Sequence, residues 1–266
     1  MGMTGEGIRI EGVGKSYDDL RVLEGIGVSI KKGSVVAFLG PNGCGKTTLL
    51  KIISRNLDPD SGIVFLDGKN IVEMRPVDLS KKMGSVPQAH RSSFPFSVLD
   101  VVMTGRAPYI GAFSTPSAKD MEISLGILKT LGISHLAEKS YTTISGGERQ
   151  LVMIARALAQ GPEFLLLDEP TTFLDLKNQM GVLSMVTGLA REKGMTVIMT
   201  LHDPNHALMY ADEVVLMAKL DGHKSNVIAA GLSRDVMTAE NIRAAYGVDV
   251  EIIEHDNKKV ILPYVK

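Results

Sequence analysis

The chain has a single cysteine, Cys44, so no disulfide can form within it, which suits a reducing compartment. No apolar run approaches the ~18–20 residues of a membrane-spanning helix. The first residues, Met1-Gly2-Met3-Thr4-Gly5-Glu6, have neither a basic nor an apolar region, so no signal peptide is expected. Charge of neither sign dominates. The 29 basic and 30 acidic residues leave a net charge of −1, which gives no ground for a nucleic-acid partner or an anionic lipid surface. Internal repeats, low-complexity stretches and heptads are also missing. These absences describe a cytoplasmic chain whose contact with a membrane, if it has one, goes through a partner.

What is present suits burial. Of 266 residues, 44% are hydrophobic and 22% charged, enough for one large α/β domain or one domain with an insertion. The chain is organised around Gly40-Pro41-Asn42-Gly43-Cys44-Gly45-Lys46-Thr47-Thr48, which fits G-x-x-x-x-G-K-[ST]. An apolar run, Val35 to Leu39, precedes it as a buried strand, and Leu49 to Ile53 follow as a helix. Strand, glycine loop and helix is the context the motif needs. The glycines permit backbone conformations that a side chain forbids, so successive N–H groups wrap one phosphate. The helix end adds about half a positive charge. Lys46 is placed for the β- and γ-phosphates, and the Thr47 hydroxyl for Mg²⁺.

Before this loop, residues 7–30 read as two strands joined by a polar turn. Tyr17, near the turn, is either a strand aromatic or a flat partner for adenine. Residues 63–72 repeat the strand theme around Asp67-Gly68, a hairpin pair. Gln88 stands just past a strand that ends at Pro87. From about residue 92 helical spacing takes over. Ser97 is a cap, and Ser117 with Asp120 starts a helix that Gly132 stops. Phe94-Pro95-Phe96 and Arg106-Ala107-Pro108-Tyr109-Ile110 read as an apolar, loop-like stretch, either tucked on its own core or open for docking.

Ser145-Gly146-Gly147-Glu148 reads as a capping box. Two glycines in a first turn cost about 1 kcal/mol each relative to alanine, so capping alone does not explain them. They leave a bare helix end, a second anion site. Phe164 to Leu167 then read as a central strand ending in Asp168 and Glu169. Asp168 can hold Mg²⁺ and Glu169 can polarise a water. Asp175 begins the next helix, His202 ends the next strand, and residues 249–266 read as a small hairpin. Cys44, at a helix N-terminus, is either an inert small residue or a thiol with a lowered pKa.

This ordered set resembles the ATP-binding cassette (ABC) ATPases over nearly the whole chain. Gly40 to Thr48 match the Walker A loop, Gln88 the Q-loop, Ser145 to Glu148 the signature, and Leu165 to Glu169 Walker B. Asp175 matches the D-loop and His202 the switch histidine. Tyr17 lies where the family's adenine-stacking aromatic lies. Ile144 replaces a usual leucine, and Thr172-Phe173-Leu174-Asp175 replaces a commoner Ser-Ala-Leu-Asp. The resemblance implies a P-loop (RecA-like) α/β core with an N-terminal antiparallel β subdomain. Residues 1–91 and 161–236 would form the core, 92–160 an inserted helical subdomain, and 237–266 a C-terminal helix and hairpin. It implies ATP and Mg²⁺ as cofactors, the cation on Thr47, Gln88 and Asp168. Lys46, Glu169 and His202 would be catalytic, and a head-to-tail homodimer would complete each ATP site with the partner's signature. Val86–Gly111, Thr171–Gln179, Met237–Ile242 and Ala245–Val248 resemble the importer ATPases for iron–siderophore complexes, haem and cobalamin. Some members of that group move oxyanions such as molybdate. Such a subunit sits on the cytoplasmic face of the cell membrane, peripheral, against a permease and through it a substrate-binding protein. A soluble ABC assembly factor, for example in iron–sulfur cluster formation, would share every ATPase motif. The missing heptads exclude a chromosome clamp, and the missing Asn-Lys-x-Asp excludes a GTPase.

Overall fold

The computed structural model describes residues 7–18, 20–88, 95–111, 113–172, 174–220, 224–256 and 258–264. Phe94 and Phe173, singled out above, lie outside the described residues. In chain order the elements begin β1 (Gly7–Tyr17), β2 (Leu20–Lys31), β3 (Val35–Leu39), α1 (Lys46–Ile53), β4 (Ser61–Leu66) and β5 (Lys69–Asn70). Next come α2 (Pro76–Lys82), β6 (Met83–Val86), α3 (Val98–Met103), α4 (Ala118–Thr130), α5 (Gly146–Ala159), β7 (Phe164–Leu167) and α6 (Leu176–Lys193). The chain closes with β8 (Thr196–Thr200), α7 (Pro204–Tyr210), β9 (Glu213–Leu220), β10 (Lys224–Leu232), α8 (Ser233–Val236), α9 (Ala239–Tyr246), β11 (Val250–His255) and β12 (Lys258–Pro263).

These elements form two compact units. One holds the described residues of Met1–Met74 and Ala190–Lys266, the other Arg75–Leu189. In the first, strands run in the order β5-β4-β1-β2-β10-β9-β3-β8. The antiparallel members β1, β2 and β4 come from the N-terminal stretch, as expected. Their side chains alternate: Ile8 and Ile10 are buried while Arg9 and Glu11 face out. β3 is different. Parallel β8 and β9 flank it, and all five of its residues are fully buried, so a continuous apolar run replaces alternation. β11 and β12 pair separately as the expected terminal hairpin.

The second unit carries parallel β6 and β7, and β7 is buried throughout. Its helices start where the sequence marks them. Ser97, Ser117 and Ser145 each cap a helix, with Asp100, Asp120 and Glu148 returning the bond in full capping boxes. One expectation fails here. Thr104–Tyr109 is a 3-10 helix, not a loop. The Tyr109 hydroxyl donates to the Gln160 carbonyl at 2.8 Å, and the Arg106 guanidinium and the Lys81 ammonium lie over its ring, 4.0 and 5.1 Å from its centre. Those cation–π contacts hold the ring on its own unit.

Asp120 ties this helical region together. One carboxylate oxygen accepts from the Ser117 N–H and hydroxyl, and the other from Arg106 Nε at 3.0 Å. The Ser117 bonds first, then Arg106, hold its pKa down at about 2. A carboxylate held below its unfolded value of about 3.9 contributes stability in full above that value, and loses it as pH falls toward 2. Asp120→Asn cannot ionise, so its acid-unfolding curve should be flatter than the wild type's between about pH 4 and pH 2. Circular dichroism across that range checks this, and parallel curves would refute the assignment.

Candidate nucleotide-binding site

In the first unit the phosphate loop leaves the buried end of β3. Gly40 is at φ 148 and Gly45 at φ 88. A Cβ on Gly40 would lie 2.2 Å from the Met217 carbonyl oxygen of β9, and one on Gly45 would lie 2.5 Å from a Leu23 methyl. Both positions therefore need glycine, for backbone angle and for space. Gly45 caps α1 without a side chain, and no acid stands in the first turn. The helix dipole is left for a ligand.

Lys46 is buried, 5% exposed. Its ammonium donates to the Gly40 carbonyl at 2.7 Å and the Pro41 carbonyl at 3.1 Å. A charge taken out of water needs strong partners, and carbonyl dipoles supply part of that. Phosphate oxygens supply more. Thr47 and Thr48 are half-buried on the first turn of α1, Pro41 is half-buried, and Asn42 and Gly43 are exposed. Gly43 faces the Lys219 ammonium, 3.3 Å from where its Cβ would be. Sequence reading missed Lys219 because no motif reaches from β9 to this loop. Tyr17 ends β1, is 44% exposed and pairs with Leu20 across the turn. Val22 and Leu23 of the same hairpin touch Gly45. Tyr17 therefore stands on the hairpin that borders the loop.

His202 belongs with this loop by register. β3 and β8 run parallel with Phe38 opposite Thr200, and Leu201 N–H donates to the Phe38 carbonyl at 3.1 Å. Two residues further, Gly40 and His202 leave neighbouring strands at the same end.

The second unit repeats this arrangement with acids. Val86 lies opposite Leu167, and Asp168 N–H continues the pairing to the Val86 carbonyl at 2.9 Å. Gln88, Asp168 and Glu169 thus emerge together at the carboxyl ends of β6 and β7. Asp168 is buried, 5% exposed. The Gln88 amide nitrogen donates to Glu169 Oε2 at 2.6 Å, and the Thr172 hydroxyl to the same oxygen at 2.9 Å. Glu169 has φ 49, unusual for a residue with a side chain, and such strain concentrates at functional sites. Sequence reading placed Gln88 on the cation. The amide nitrogen holds Glu169, and the amide oxygen is the end suited to a metal.

Ser145, Gly146, Gly147 and Glu148 open α5. The capping box uses the Ser145 and Glu148 N–H groups. The Ser145 bonds hold the Glu148 carboxyl below its usual range. A Cβ on Gly146 would meet nothing within 4 Å, so neither packing nor backbone angle asks for glycine there. Beside it a depression of about 330 Å³ is lined by Ser145, Gly147, Glu148, Leu151, Asn178 and Met185. Asp175 caps α6, accepting from Asn178 N–H at 2.8 Å, a structural task its motif does not announce.

A fold with a phosphate loop, strand-end acids and a signature helix defines the ABC class. The ABC transporter family model matches residues 23–172, and the chain belongs to that family. The iron(3+)-hydroxamate import ATP-binding protein FhuC of Bacillus subtilis is 38% identical over 256 residues, 96% of this chain and 93% of FhuC. An inward-facing transporter described as of metal-chelate type superposes with a TM-score of 0.83 at 32% identity, covering 98% of both chains. The dimeric structure of MJ0796, a bacterial ABC transporter cassette, superposes at 0.73 with 29% identity, over 85% of this chain and 99% of that one. More particularly, the chain is the ATP-binding subunit of an ABC importer, an ATPase whose hydrolysis is coupled to transport. Subunits of this kind work with a membrane permease. Among the described residues no helix is long and apolar enough to cross a membrane.

Cys44 decides between its two readings. It is fully buried, and burial pushes its thiol pKa up, with the Lys46 ammonium 4.0 Å away offsetting part of that. A lowered pKa at the helix end is therefore wrong: desolvation outweighs the positive neighbours. Iodoacetamide near neutral pH should label Cys44 slowly in the folded chain, equally with and without Mg-ATP, and rapidly only after unfolding. Fast labelling that ATP blocks would restore the reactive thiol.

Proposed function

We propose that this chain powers uptake of an iron–siderophore complex, haem, cobalamin or a related metal-containing ligand. It would sit peripherally on the cytoplasmic face of the cell membrane, against a permease that receives its cargo from an extracytoplasmic substrate-binding protein. Similarity to FhuC along nearly the whole length supports this, as does the metal-chelate type transporter. For the chemistry, the carrying observation is the buried Lys46 ammonium, resting on the carbonyls of its own loop until an anion replaces them.

Gly40 to Thr48 would wrap the phosphates, with Tyr17 against adenine. Mg²⁺ would be held by Thr47, Asp168 and the Gln88 amide oxygen. The donors are all oxygens, a carboxylate, a hydroxyl and an amide carbonyl, which is the set that suits Mg²⁺ beside phosphates. When bound, the cation draws charge from the phosphate oxygens. Glu169, held by Gln88 and Thr172, would orient the attacking water, and His202 would contact the γ-phosphate. Ser145, Gly146, Gly147 and Glu148 would close the site of a second copy, head to tail, with Asp175 at the dimer contact. Gln88 precedes α3, α4 and α5 of its unit in the chain, so its movement with nucleotide would pass through residues 94–110 to the permease.

Glu169→Gln should keep ATP binding and dimerise, yet turn over on the order of 10²-fold slower or worse. A near-normal rate would remove Glu169 from this role. Wild-type rate should rise more steeply than linearly with protein concentration, and strict linearity would count against the shared site. Affinity capture of the tagged chain from mild-detergent membranes should bring down a multi-span permease. Recovery of soluble partners alone would overturn the importer assignment for an assembly factor.

A further inference from the structure

The C-terminal hairpin has no part in the reading above, yet it is joined to the helix that follows His202. Asn205, in the first turn of α7, makes two bonds of opposite sense to one residue of β12. Its Nδ2 donates to the Ile261 carbonyl at 3.1 Å, and its Oδ1 accepts from Ile261 N–H at 2.8 Å. A carboxamide pairs here as a neighbouring strand's peptide would. Ile261 pairs with Ile252 within the hairpin and is 4% exposed, so its position is fixed from the other side.

The same turn of α7 follows His202 directly in the chain. Asp203 is the N-cap, and its Oδ1 accepts from Asn205 N–H at 2.8 Å. From the end of β8 the order is Leu201, His202, Asp203, Pro204, Asn205. α7 spans seven residues, too few to hold a direction without tertiary support. It packs on β3, α8 and β12; the Asn205 pair to β12 holds its first turn, and the Ser233 hydroxyl of α8 donates to the Ala211 carbonyl at its C-cap. The hairpin is carried by α9, which packs on β9, the strand beneath Gly40. The Tyr246 side chain of α9 is buried, and its hydroxyl lies near the Gly40 backbone and Cys44. The C-terminal segment thus borders both the phosphate loop and the histidine's helix.

We propose that Asn205 is a positioning residue through which the C-terminal hairpin sets His202 for the γ-phosphate. This rests on the assignment of His202 given above. A group displaced by about 1 Å can lose up to 10²-fold in rate without loss of binding.

The test uses the full chain and reads steady-state turnover, KM for ATP, equilibrium ATP binding and melting temperature. Asn205→Ala should lower kcat on the order of tenfold or more, with KM and ATP affinity moved less than about twofold. Asn205→Asp adds a readout that loss of packing does not reproduce. Ionised, it repels the Ile261 carbonyl and should behave as Asn205→Ala. Protonated, its O–H donates to that carbonyl and its other oxygen accepts from Ile261 N–H, so turnover relative to wild type should recover as pH falls. The charged and titratable groups on the elements packed there are His202, Asp203, His206, Tyr210, Arg234, Asp235, Lys258 and Lys259. All are shared with wild type, so the ratio at each pH removes the part of their titration that does not depend on residue 205. A wild-type kcat in Asn205→Ala, with or without a lower melting temperature, would reduce Asn205 to an anchor and overturn the proposal. So would an Asn205→Asp ratio that does not change with pH. His202→Ala separates the two layers. If it turns over normally, the histidine assignment fails and this inference falls with it. If it is slow while Asn205→Ala is normal, the inference alone fails.

Discussion

A buried lysine ammonium resting on main-chain carbonyls is the constraint on which the phosphate loop depends. Carbonyls offer partial charge, while a phosphate offers a full one. At 4 Å and an effective dielectric of about 20, a unit pair is worth about 4 kcal/mol, more than a neutral acceptor returns. The loop is therefore built to exchange its own carbonyls for an anion. The exchange requires the backbone to pass very close to its neighbours. Gly40 lies against the Met217 carbonyl and Gly45 against Leu23, so β9 and β2 form the mould in which the loop is cast. Fully buried β3 fixes where that mould begins.

The second constraint is direction. Parallel strands deliver their carboxyl ends to one side, which is where open α/β sheets bind ligands. Each unit obeys this with its own pair. β3 and β8 bring out Gly40 and His202, while β6 and β7 bring out Gln88, Asp168 and Glu169. The chemistry is divided along the same line. The first pair ends beside Lys46 and His202, and the second in two carboxylates, Asp168 and Glu169.

Sequence carried the local part of this design. The phosphate loop, the three serine capping boxes and the strand ending in Asp168 and Glu169 are each written within about ten consecutive residues. The pairings that join distant segments are not. Nothing near Gln88 points to Glu169, nothing near Asn205 points to Ile261, and Lys219 has no motif at all. Residues 106–109 read as loop-like in sequence, whereas the Tyr109 bond to Gln160 and the Arg106 bonds to Asp120 and Ala159 hold a 3-10 helix. Cys44 was open in sequence because helix-end charge and burial push a thiol in opposite directions, and only the fold says that burial is complete.

Glu169 brings these strands of argument together. Its backbone sits in the left-handed region, so its own conformation does not hold it in place; its carboxylate is fixed by what it bonds. Thr172, one of its partners, is three residues away. Gln88, another, follows β6. An amide has two ends of opposite polarity. The nitrogen is on Glu169, which leaves the oxygen as the end able to accept, so one side chain can serve a carboxylate and a cation at once. A shift of the chain after residue 88 therefore reaches the carboxylate through one short hydrogen bond. Glutamine suits this position because neither a carboxylate nor an ammonium offers both ends: the first would repel Glu169, and the second would repel the cation.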